Sequence, residues 1–266
     1  MSEAVEEFVS VRKRPNKTKN SRLKSFEELL QGDRHVIKSS SMFHDLCRAL
    51  EPYGAKIDRI RCLAIGGFHE TFPARYQLAL LLELVDYLAH DGNLLVSIYD
   101  PVFSDDDKAY ITAKGQQWTI DENSPWRDES DSTLFFLPHA PLDLSEVIVA
   151  SEKQKLWLAN NVIQHSDRYT KLQLHEKYPL MSKLVNCLSL RQQPPSQTED
   201  QFAVFVSKKS KKKRAKNRFQ EPEINYADVC SYFSECKVLT DFDNGILLKE
   251  QPWVNSFSDL TLHLIE

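Results

Sequence analysis

The chain has 266 residues, of which 41% are hydrophobic and 27% charged, and a formal net charge of −4. That is enough material for one large core plus tails, and no apolar run approaches the roughly 18 residues that cross a bilayer. The opening MSEAVEEFVSVRKRPNK has no apolar stretch of the signal-peptide kind, so the expectation is a soluble protein of the cytosol or nucleus, with no membrane association.

Residues 1–24 read as a basic tail, in which a short β-like run leads into Arg12, Lys13 and Arg14. The α/β domain begins at 25, and its first part extends to 190. Residues 60–65 form a short run without strict alternation, as expected of a strand covered on both faces. Gly66 and Gly67 stop it. Thr71 is placed to N-cap a helix that tolerates Pro73 in its first turn. Tyr76, Leu80, Leu84, Tyr87 and Leu88 follow at helical spacing, and Leu78, Leu81, Leu82 and Val85 widen the stripe, so this helix should be deeply buried. It should end at His90-Asp91-Gly92, with Gly92 left-handed. Residues 94–99 form the next strand, with Asp100 at its carboxyl end.

Ser104 with Asp107 resembles a capping box opening a helix over 105–114, which Gly115 ends. Strands are expected over 117–120, over 134–137 closing on Pro138-His139, and over 155–159 closing on Asn160-Asn161. Asp143 with Glu146 marks a helix start, and a further helix covers 169–188, bent or divided at Pro179. Such alternation argues for a Rossmann-like, three-layer α/β domain with a mostly parallel sheet. Residues 191–222 are a flexible polar and basic insertion with eight Lys or Arg between 208 and 218, expected to be solvated. Residues 223–266 bring strands over 237–242 and 260–265 that complete the domain. Cys47, Cys62, Cys187, Cys230 and Cys236 form no CxxC pair, so they read as ordinary thiols and no metal site is expected.

The blocks GGF (66–68), RYQLALLLEL (75–84), YDPVFS (99–104), LFFLPH (134–139) and NSFSDLTLH (255–263), in this order, resemble the landmarks of the sensitivity-to-red-light-reduced (SRR1-like) family. Within that family the chain resembles the fungal benomyl-resistance proteins. The resemblance implies a soluble regulatory factor, linked in different lineages to circadian and light responses, haem metabolism and microtubule-related phenotypes, with no established reaction. The chain departs from the family pattern at Ala159, where glycine is usual, which weakens the case for close backbone approach to a ligand there. No Cys-Pro dipeptide occurs, so haem binding would rely on a histidine such as His139.

Open parallel sheets bind ligands at the carboxyl ends of their strands, which makes Gly66, Gly67, Asp100, His139 and Asn160 the candidate ligand-binding residues. Gly66-Gly67 either cradles a phosphate at a helix N-terminus or makes a tight connection; there is no GxGxxG and no GKS or GKT. Asp100 either holds a ribose hydroxyl or caps the turn into Pro101. His139 is either a general acid or base or a structural hydrogen-bonding residue. Arg75 and Gln77 face the glycine turn or solvent, and Asp259 and His263 share a strand face. The basic stretch suits an import receptor or an acidic partner, whereas the net acidic chain and the lack of interleaved aromatics argue against specific nucleic-acid binding. The favoured function is a non-enzymatic regulator acting on protein partners or a nucleotide-like or other small ligand. The alternative is a nucleotide-dependent or transferase-type enzyme, and the cofactor is not specified by any motif.

Overall fold

The computed structural model describes residues 24–89, 92–126, 130–192, 223–249, 252–253 and 255–266. In chain order these form α1 (Phe26–Lys38), α2 (Ser41–Gly54), β1 (Arg59–Leu63), α3 (Phe72–Leu88), β2 (Leu95–Tyr99), α4 (Asp105–Thr112), β3 (Trp118–Ile120), β4 (Thr133–Leu137), α5 (Leu142–Ser151), β5 (Leu156–Asn160), α6 (Val162–Ser166), α7 (Lys171–Lys177), α8 (Pro179–Gln192), β6 (Cys236–Thr240) and β7 (Leu260–Ile265). The expected basic tail up to residue 23, the helix stop at His90-Asp91 and the basic stretch 208–218 lie outside the described residues.

The seven strands make one sheet in the order β3-β2-β1-β4-β5-β7-β6. β1 pairs in parallel with β2 and β4, β2 with β3, and β4 with β5, whereas β7 runs antiparallel between β5 and β6. This is the mostly parallel α/β sheet that the alternation of elements implies. From β1 the chain steps outward through β2 to β3, then returns across β1 to β4. Leu81 of α3 and Ile111 of α4 therefore join the core on one face, and Ile148 and Val149 of α5 join the core on the other.

Strand alternation feeds both cores. Ile60 and Cys62 of β1, Leu134 and Phe136 of β4, and Leu156 and Leu158 of β5 point to the first; Leu63, Phe135, Leu137 and Trp157 point to the second. Helix α3 is as buried as its apolar girth requires, with Leu78, Leu80, Leu81 and Leu84 fully covered. Its N-cap is Thr71, but the threonine hydroxyl donates to the Gly67 carbonyl at 2.9 Å and makes no capping bond to the helix.

Local signals hold at several ends and shift at others. Ser104 and Asp107 do form a reciprocal capping box on α4, and Pro179 divides the expected long helix into α7 and α8. Helix α5 starts one residue before Asp143 with Pro141 as its N-cap, and α3 stops at Leu88, before Gly92, whose φ is +73°. Helices α1, α2 and α6 are additions to the sequence reading. The signal for α1 was present, since Ser25 and Glu28 make a capping box of the same kind as that on α4.

Candidate functional site

The reversal of direction between β1 and β4 leaves a crevice at the carboxyl edge of the sheet, the place where open α/β sheets take their ligands. A cavity of about 720 Å³ lies there. Its floor is the segment Leu63–Gly66 after β1; Tyr99 to Val102 after β2 and Glu122 to Ser124 after β3 form one side, and His139 and α5 the other. Thr71, Ala74 and Gln77 of the α3 amino-terminal turn close the end. Three of the five candidate residues, Gly66, Asp100 and His139, thus line one space. Gly67 and Asn160 do not.

Gly66 needs to be glycine: its φ is +77°, and an added Cβ would sit 3.3 Å from that of Ala74. Ala64, two residues earlier, also adopts a left-handed φ of +54°, an uncommon state for a residue with a side chain. Two amides of this loop are already engaged and are not open to an anion. Gly66 donates to Asp100 Oδ2 at 2.8 Å, and His69 donates to Asp107 Oδ1 at 3.0 Å. The other Asp100 oxygen accepts from Val102 N at 3.0 Å. Asp100 therefore caps its own turn and pins the β1 loop, as one of its two sequence readings had it. Asp100 lines the cavity, and each of its carboxylate oxygens keeps acceptor capacity beyond these bonds. Gly67 faces away, packed against Asp107 Oδ2 and the Val102 carbonyl.

Asp107 is fully buried and serves two loops at once, accepting from Ser104 N at 3.0 Å and contacting His69 Nδ1 at 2.7 Å. Burial pushes its carboxyl up, but the hydrogen bonds from His69 and Ser104 outweigh that and hold it below the usual carboxylate range. The His69 ring also stacks on Phe26 at 3.7 Å between centroids, so α1 braces the same loop.

Sequence reading missed Arg61, which interrupts the apolar run of β1 and is wholly buried. Its guanidinium donates to Ser97 Oγ at 2.7 Å, Asp121 O at 2.8 Å and Glu122 O at 2.9 Å, with Nε 3.8 Å from a Glu152 oxygen. Burial lowers its pKa, opposed by Glu152 and Asp121. Arg61 thereby fixes the Glu122 loop, one wall of the cavity, to the central strand. A cation inside an otherwise apolar strand is the sequence signal that could have exposed it.

The remaining candidates separate. His139 is exposed on the cavity rim and forms no hydrogen bond with another described residue. Asn160 lies outside the cavity, donating to Asp259 Oδ1 at 2.7 Å, while Asn161 donates to Thr261 Oγ1 at 3.2 Å, so the pair ties the end of β5 to the start of β7. Asp259 lies just before β7, whereas His263 is buried within it. Gln77 donates to the Ser256 carbonyl at 2.8 Å and Arg75 pairs with Asp33 of α1 at 2.6 Å; neither faces solvent as an open alternative. Among the described residues, no group of three His, Cys, Asp or Glu is placed to hold a metal, the five cysteines are free, and no helix is long and apolar enough to cross a membrane.

The SRR1 domain family matches residues 43–264, which takes in all of the sheet except the last residue of β7 and all of the cavity, and the chain belongs to that family. An SRR1-like protein of Drosophila melanogaster is 27% identical over 133 residues, covering 50% of this chain and 46% of the relative. The chain thus spans about half the length of that relative. No solved structure matches.

Proposed function

We propose that this SRR1-domain protein is a regulator that binds a small ligand in the cavity at the carboxyl edge of its sheet and passes the bound state to protein partners. The observation that carries the reading is how the cavity's polar groups are used. Asp100, Thr71 and Gln77 on the lining, and Arg61 behind it, all hold loops and strands in place, so the described residues maintain the opening without arranging a nucleophile beside a base. A shaped, largely apolar space with a few fixed polar atoms is what a binding site requires. The regulation concerned is of the microtubule-related or circadian and stress type that resemblance to the benomyl-resistance proteins implies. It takes place in the cytosol, the nucleus or both, with the cations of 208–218 suited to engaging an import receptor.

An enzyme of the nucleotide-dependent or transferase class is the competing reading, favoured by the exposed imidazole of His139 on the rim. Thermal unfolding of the full chain with a panel of neutral and charged nucleosides, nucleotides and dinucleotides tests the proposal. Stabilisation by at least one member, abolished by Val147→Trp on the α5 wall, is the expected result. No stabilisation by any member would remove the reading. Turnover that disappears in His139→Ala would replace it with the enzyme.

A further inference from the structure

The charges around the cavity limit what can enter it. Among the described residues, Asp100, Glu122 and Glu152 line the space, and no Lys or Arg does. Arg61 lies behind the lining, and its donors already point at Ser97, two backbone carbonyls and Glu152. The Gly66 amide, the donor a phosphate would seek at the end of the first strand, is held by the Asp100 carboxylate. A diphosphate or dinucleotide would therefore bring two or more negative charges to Asp100 and Glu122, while Arg61 is already paired with Glu152, which disfavours it by Coulomb repulsion in a partly desolvated site.

Other features suit a nucleoside. Asp100 follows β2, where the acid of nucleotide-binding α/β sheets accepts from ribose hydroxyls, and its oxygens retain capacity to do so. Tyr99, Pro101, Leu144, Val147 and Ile148 supply apolar and aromatic surface for a base. The strand order, with antiparallel β7 inserted between β5 and β6, is also that of the sheet used by methyltransferases for sulfonium nucleosides. Fold likeness alone carries no activity; here it agrees with the independent argument from charge.

The geometry points to a phosphate-free, positively charged nucleoside, of the sulfonium class, as the ligand of this cavity. The inference rests on the proposal that the cavity binds a small ligand and narrows its chemistry. Its ribose meets Asp100, its base lies along the apolar wall, and its positive charge lies toward Glu122.

The probes are S-adenosylmethionine, ATP and NAD, each added to the purified full chain in thermal unfolding and calorimetric titration. S-adenosylmethionine should raise the melting temperature by about 5–10 °C at a hundredfold excess over its dissociation constant. ATP and NAD should leave it unchanged. Glu122→Gln, which removes one lining charge at an exposed position, should weaken S-adenosylmethionine by about two- to fivefold. Val147→Trp, at an exposed helical site that faces the cavity, should abolish binding while the apo protein melts as before. Stabilisation by ATP or NAD but not by S-adenosylmethionine would overturn this inference and leave the small-ligand reading standing. Binding of S-adenosylmethionine that Val147→Trp does not reduce would place it elsewhere and also overturn the inference. If no probe or panel member binds, both readings fail together.

Discussion

Replacing His263 by leucine should flatten the loss of stability in mild acid. His263 is wholly buried in β7, opposite Trp157 in the antiparallel register. Burial pushes its imidazole down from 6.5 to about 4, against weaker support from backbone hydrogen bonds at Trp157 and Thr261. The unfolded chain takes up a proton near pH 6.5 and the folded chain does not, so stability rises with pH across this window. The contribution is intact above 6.5 and is lost as pH falls toward about 4. Between about pH 7.5 and about pH 5, linkage puts this loss at about 2 kcal/mol. Urea unfolding across that range, for the native sequence and His263→Leu, isolates the effect. His165, whose pKa burial also lowers, is present in both proteins and cancels in the difference. The gap between the two stabilities should change by about 2 kcal/mol from one end to the other. Parallel curves would show that His263 is not held neutral by burial, and the argument would fall.

Arg61→Met should cost about 3–5 kcal/mol in urea unfolding, because the Glu152 and Asp121 side loses a buried cation and two carbonyls lose their donor; a loss below about 1 kcal/mol would mean the guanidinium is not needed to hold the Glu122 loop. Ala64→Gly should stabilise by about 0.5–1 kcal/mol by relieving the left-handed backbone at the cavity floor, and a lower unfolding midpoint would contradict that origin. Asp107→Asn should remove an acid-sensitive component: the native carboxyl has a depressed pKa, so its contribution is present above the usual carboxylate range and lost as pH falls through the folded value, and an unchanged acid profile would refute the network. Leu81→Asp should abolish cooperative folding, since a charge would enter the fully covered face of α3; soluble variant protein that unfolds cooperatively would count against the burial.

Elements governed by near neighbours were legible in the sequence. Residues 60–65, 94–99 and 134–137 read as strands because a parallel sheet covered on both faces needs short apolar runs, and the Ser104–Asp107 box and Pro179 act within one turn of chain. The carboxyl ends of those strands located Gly66, Asp100 and His139 before any geometry was known, since side-by-side parallel strands must deliver their following residues to one edge. Contacts across long separations were decided only in the tertiary structure. The glycine pair resembled a phosphate cradle until Asp100, 34 residues on, took the Gly66 amide. Asn160 left the site because Asp259, 99 residues away, claims its amide. Arg61 looked like part of an apolar run because its acceptors, the carbonyls of Asp121 and Glu122, reach it only when β3 and its loop pack beside the central strands. A strand's period and a helix's cap are fixed by bonds and sterics within a few residues. Which donor meets which acceptor depends on the order of strands in the sheet, and that order is set by burial of the whole chain.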